Sequence, residues 1–123
     1  MPLLAVVNRQ AQGARPLGFI WAAPAWAVKQ INGYDEGFAD GFWYDDDDFF
    51  FRLWQTGLDF VFTDDISGSH IHHERKTLDT KEGYAGIQRN RDHMLTKHQV
   101  LDLWHTVART EERRPGRTTW RHL

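Results

Sequence analysis

Residues 44–52 read YDDDDFFFR, and they restrict the fold more than any other stretch of the chain. Four adjacent carboxylates repel one another and seek water, whereas three adjacent phenylalanines are driven into a core. A helix start reconciles them. Acids in a first turn face the positive end of the helix dipole, and Asp45 or Asp46 can serve as N-cap. Phe50, Leu53 and Trp54 then follow at spacings of three and four, with Gly57 as a stop, so the spacing predicts a buried stripe. An acidic helix start needs no further role. Crowding nevertheless raises the proton affinity of at least one of the four, and a helix needs one cap rather than four acids. A partly desolvated aspartate in this run suits a general base.

The flanking segments give the run its setting. GFIWAA at 18–23 fits a buried strand, and Pro24 opens a short helix, AWAVKQI, closed by Gly33. Residues 32–44, NGYDEGFADGFWY, form an aromatic loop punctuated by Gly33, Gly37 and Gly41, as a ligand-facing loop or an ordinary connection would be. LDFVFTDD at 58–65 alternates as a strand does, and SGSHIHHERK at 67–76 reads as a turn, a short strand and a basic exit. Tyr84, Ile87 and Met94/Leu95 mark the apolar face of one helix, and Val100, Leu103/Trp104 and Val107 that of another. This predicts an α/β fold with a small mixed sheet and flanking helices, divided into a lead-in segment at 1–17, a main region at 18–109 and a frayed tail at 110–123.

Composition narrows the function. A net charge of −2 gives no reason to expect nucleic acid or an anionic membrane surface as partner. With no cysteine, disulfides, thiolate metal sites and a cysteine nucleophile are excluded. No apolar run approaches the roughly 20 residues of a membrane span, and MPLLAVV is too short for a signal peptide, so a soluble protein is expected, cytoplasmic or peripheral to a membrane. Six Trp and eight Phe are enough that some face a ligand, and sugars, whose C–H faces stack on rings, are one candidate.

SHIHHER places His70, His72 and His73 within four positions. Singly these are ordinary surface histidines. On an extended backbone His70 and His72 share one face and His73 takes the other, so one or two imidazoles could bind a metal together. Imidazole with nearby carboxylate suits Mn²⁺, Zn²⁺ or Fe²⁺, and Mg²⁺ less well, while Arg75 and Lys76 suit a phosphate or diphosphate. No dinucleotide fingerprint, phosphate-binding loop, GxSxG elbow or HExxH is present.

Taken together, GFIWAAPAWAVKQINGYDEGF, YDDDDFFFRLWQTGLDFVF, SHIHHE and IQRNRDHMLTKH resemble the C-terminal half of family 2 glycosyltransferases of the GT-A fold. The pattern there is a strand, a helix, GGFDE.F, ED.D...R....G, a strand and a histidine. The run is also similar to that of galactosyltransferases, whose EDDD is followed by two apolar or polar residues and then R-L. Residues 18–98 carry the resemblance.

The resemblance implies a partial GT-A-type sheet, akin to nucleotide-diphospho-sugar transferases. It implies Asp46 as catalytic base and Trp43, Tyr44, Asp45 and Asp47 at the acceptor. His72 or His73 would be ligand to a divalent metal (Mn²⁺ or Mg²⁺), and Arg75 would lie near the donor diphosphate. The implied activity is transfer of a sugar from a nucleotide-sugar donor to an acceptor hydroxyl, inverting and metal-dependent, with the DXD-bearing donor half outside this chain. The isolated chain is then expected to be nearly inactive. The alternatives are a non-catalytic carbohydrate- or partner-binding module and a simple divalent-metal-binding domain. A sheet cut between two halves leaves the strand near 18–23 with an open edge. A second copy in a homodimer, a complementing half, or MPLLAVV folding back would cover it.

Overall fold

The computed structural model describes residues 3–7, 20–62, 68–69, 71–74, 78–103, 106–107, 110 and 121–122. In chain order the elements are β1 (Leu3–Val7), β2 (Ile20–Ala22), α1 (Ala25–Gln30), a 3-10 turn (Glu36–Phe38), α2 (Asp45–Gln55), β3 (Asp59–Phe62), α3 (Lys81–His98) and β4 (Arg121–His122). The four strands make one mixed sheet in the order β2-β1-β3-β4. β1 runs antiparallel to β2, with Val6 opposite Trp21, and parallel to β3, with Leu4 opposite Phe60. β4 is parallel to β3.

Two expectations about the termini change. The N-terminal apolar run occupies an inner position of the sheet, and its pairing with β2 is the fold-back that an open strand edge invites. The tail also returns to the sheet, through Arg121 and His122. Between them, Ile71–Glu74 lie in neither helix nor strand, so the short strand expected there does not form within the described residues.

α2 begins at Asp45 and carries all four aspartates in its first turn, as the acid-to-aromatic switch predicts. Its cap differs. The N-cap is Tyr44, in a left-handed conformation and without a side-chain cap bond, rather than an aspartate. The stripe is wider than expected: Phe49, Phe50 and Leu53 are wholly buried and Phe51 nearly so. Each such side chain contributes about 1.5–3 kcal/mol by leaving water. Trp21 from β2 meets Phe49 at 5.2 Å and Phe50 at 5.8 Å between centroids, which locks α2 onto the sheet.

α3 packs differently from its apolar reading. Its buried residues are Gly83, Gly86, Asn90 and Met94, while Tyr84 is largely exposed. A face of small and polar residues lets the 41–44 loop approach closely: the Phe42 N–H donates to Gly86 O at 3.2 Å. An alanine Cβ at Gly86 would stand 2.5 Å from Phe42 Cδ2. Leu103 and Val107, in helical backbone, complete the core as the sequence predicts.

One buried charge ties these elements together. A turn holds 3.6 residues, so four successive aspartates point around nearly the whole helix and one must face inward. That one is Asp48, fully buried. Its Oδ2 accepts from Arg52 Nε at 2.9 Å, and its Oδ1 lies 2.7 Å from His98 Nε2 and 2.9 Å from Lys97 Nζ. Arg52 also donates to Ile31 O (2.7 Å) and Gly33 O (2.8 Å), satisfying carbonyls at the end of α1. Removing one partner of a buried ion pair costs about 3–5 kcal/mol because the remaining charge is stranded. Asp48→Ala should therefore lower the unfolding free energy by about that amount in urea titrations; a loss below about 1 kcal/mol would show that the network is not a structural hub.

Candidate functional site

The four aspartates divide by environment. Asp45 is exposed, Asp46 and Asp47 are half-buried, and Asp48 belongs to the interior network. Asp48 is thus unavailable to a substrate. Asp46 is the member whose carboxyl is shifted. Burial, followed by the charges of Asp45 and Asp47, raises its proton affinity against the opposing hydrogen bond from Tyr34. Tyr34 Oη donates to Asp46 Oδ1 at 2.9 Å. Oδ2 accepts no hydrogen bond among the described residues. The Tyr34 phenol is pushed well above its ordinary value, by burial first and then by Asp46, so it stays a donor at any working pH.

Trp43 and Tyr44 precede this turn with φ of 68° and 70°. Side chains seldom adopt that region, and each instance costs on the order of 1–3 kcal/mol unless its surroundings impose it. Here they do. Asn90 Nδ2, from α3, donates to Trp43 O at 2.8 Å and to Phe38 O at 3.1 Å, and the Asp48 N–H donates to Tyr44 O at 3.0 Å. The Trp43 indole is 58% exposed, while Tyr44 packs against the core.

Beside Tyr34 opens a polar cleft of about 540 Å³, lined by Ile31, Asn32, Tyr34, Asp35, Glu36, Arg52 and Lys97. Its cations are engaged. Arg52 serves Asp48 and two carbonyls, and Lys97 bridges Asp48 and Asp35 at 2.9 Å each. Asp35 also accepts from the Gly37 N–H (2.8 Å) and lies 2.9 Å from His93 Nε2. Burial works against its charge, yet the hydrogen bonds from Lys97, His93 and Gly37 hold its carboxyl well below the usual carboxylate range. With two carboxylates in its lining and both cations engaged, such a cleft offers polar groups and one exposed ring to a ligand rather than an anion site.

His72 and His73 are exposed, with His73 Nδ1 3.0 Å from Glu74 O. Arg75 and His70 lie outside the described residues. No three His, Asp or Glu side chains among the described residues are grouped to hold a metal ion. Among the described residues the two imidazoles thus have no third such group beside them. A cation held there would need further ligands from elsewhere. Sequence reasoning missed Tyr34, Asp35, Asn90, His93, Lys97 and His98. The last four, with Met94, stand at offsets of three, four, seven and eight from Asn90, a helical face hidden by being polar.

The family model for the N-terminal domain of galactosyltransferase matches residues 4–77. The chain belongs to that family. The match takes in β1, the aromatic loop, the whole aspartate run and the His72–His73 pair, so the galactosyltransferase side of the resemblance is the one that it carries. α3 of this galactosyltransferase-family domain, with Asn90, Lys97 and His98, lies beyond the matched residues. No curated protein and no solved structure matches the chain. No helix among the described residues is long and apolar enough to cross a membrane. Family membership makes the domain glycosyltransferase-like, with a sugar donor and an acceptor as its substrates.

The two perturbed carboxylates should act oppositely on stability. Asp35 has a folded-state pKa below its unfolded value, so its contribution is present above about pH 4 and lost as pH falls through the depressed value. Asp46 has a raised folded-state pKa, so ionising it costs stability as pH rises from about 4 through that value. In a calorimetric pH series, Asp46→Asn should raise Tm near pH 7 and do little near pH 3. Asp35→Asn should lower Tm near pH 7, with the deficit shrinking in acid. Equal effects at both pH values would contradict these assignments.

Proposed function

We propose that this domain is the acceptor-binding and catalytic-base region of an inverting glycosyltransferase of GT-A type, related to the C-terminal half of family 2 enzymes. Asp46 carries the reading. It is a half-buried carboxylate with raised proton affinity, and its Oδ2 accepts no hydrogen bond among the described residues. In the assembled enzyme Asp46 takes the proton from an acceptor hydroxyl as that oxygen attacks the anomeric carbon of the donor. The bond from that carbon to the diphosphate breaks on the opposite side, and the nucleoside diphosphate leaves with the bonding electrons. Trp43 stacks on the acceptor ring, with Tyr44, Asp45 and Asp47 around it; the exposure of Trp43 supports this.

The reading includes a donor-binding half supplied from outside residues 1–123, with Arg75 near the donor diphosphate. It also includes a divalent cation, Mn²⁺ or Mg²⁺, for which His72 or His73 is one ligand and carboxylates outside the described residues are the others. Exposed imidazoles support the first part of that statement. The bound cation would offset charge on the leaving diphosphate.

Transfer from a nucleotide-activated galactose should be near background with the chain alone and rise when a nucleotide-binding domain is supplied in trans. Asp46→Asn should then remove activity by roughly 10²–10⁴-fold, with little change in acceptor binding. Acceptor binding without any transfer would favour the carbohydrate-binding module instead. Separately, titrating Mn²⁺ into the chain should broaden the ring signals of His72 or His73 at about millimolar concentrations, because an incomplete ligand set binds weakly. Broadening confined to other residues would remove the histidines from the metal proposal.

A further inference from the structure

Tyr34 has a placement that chance does not explain. It follows Asn32 and Gly33, both left-handed at φ 61° and 68°, and the Gly33 carbonyl is held by Arg52 Nη2 at 2.8 Å. Its ring lies flat on that of Phe49, with 4.0 Å between centroids and planes within 4°. Phe49 is fully buried and sits three residues after Asp46, so the two share one side of the first turns of α2. A ring laid on Phe49 carries its para hydroxyl over Asp46, where it donates at 2.9 Å. The backbone is fixed at one end of Tyr34 and the ring at the other.

We propose that Tyr34 is the positioning residue for Asp46, its hydroxyl fixing the Oδ1 edge of the carboxylate so that Oδ2 is presented to the acceptor. The second half rests on the reading of Asp46 as base; the first half does not. The groups facing Asp46 are Asp45 and Asp47 from its own helix and Tyr34 from the loop. Of these only Tyr34 favours the ionised form, since burial and both aspartates oppose it. Deleting the hydroxyl while keeping the ring therefore has a signed consequence. The carboxyl should hold its proton to higher pH, and it should lose its fixed orientation.

The test uses the full chain with ¹³C-labelled aspartate, following the Asp46 Cγ signal across pH, with Asp46→Asn to assign it. Tyr34→Phe should move the Asp46 midpoint upward by roughly one pH unit. Read from the other end, Asp46→Asn should bring the Tyr34 phenol, followed by its absorbance, down toward its ordinary value. Either midpoint staying within about 0.2 unit of the wild-type value would overturn the proposal. The absorbance arm does not require Tyr34→Phe to fold. Transfer surviving in Asp46→Asn would defeat the base reading while leaving these titrations, and the positioning bond, intact.

Discussion

The buried carboxylate of Asp48 is the constraint on which the rest depends. Desolvating it is tolerable only because Arg52, Lys97 and His98 bring donors to both of its oxygens. Those donors come from α2 itself and from the last turn of α3, and Arg52 reaches on to the end of α1. Three helices are thereby registered on a single charge. The register has a geometric consequence. At about 100° per residue, a residue two positions before an inward-facing one points about 200° away. Locking Asp48 inward turns Asp46 toward the other side, and the same phase places Phe49 where Tyr34 can stack on it. The stability network and the candidate chemistry share one helical turn, with the roles assigned by angle.

Much of this was legible in the sequence because it is local. The acid-to-aromatic switch fixes a helix start, apolar spacing fixes the buried side, and GFIWAA contains the strand Ile20–Ala22. What was not legible is carried by polar partners far apart in the chain: Asp48 and His98 are separated by 50 residues, and Asp35 and Lys97 by 62. Hydrophobic periodicity is blind to such pairs. It also misplaced the docking face of α3, since Gly83, Gly86 and Asn90 carry no apolar signal, whereas Tyr84 does and yet faces solvent. The inner position of β1 was hidden for a related reason. A short apolar run at a terminus looks the same whether it is a lead-in or a strand between two others.

Asn90 illustrates how a polar core residue can specify a site without touching substrate. Its amide nitrogen bridges two carbonyls of the aromatic loop, while its Oδ1 is buried without a partner among the described residues. An unsatisfied buried oxygen costs about 1–3 kcal/mol, and two left-handed side-chain residues add to that. Such costs persist only where surrounding contacts impose them. Here the enforced result is an exposed indole just ahead of the aspartate run.

The contrast between Asp46 and Asp48 follows from the same logic. Both leave water in part or in full, but Asp48 gains Arg52, Lys97 and the His98 imidazole as partners, and Asp46 gains one neutral donor and two like-charged neighbours. Giving Asp46 a cation would stabilise the fold and would also lower its basicity, which is the property that proton abstraction requires. Only a donor that favours the ionised form without adding charge improves orientation while leaving basicity largely in place. A phenol hydroxyl meets that condition, and a lysine in its place would not. The choice of Tyr34 as the partner, and of no cation among the described residues, is therefore the arrangement expected if the first turn of α2 has been kept reactive at some cost to stability.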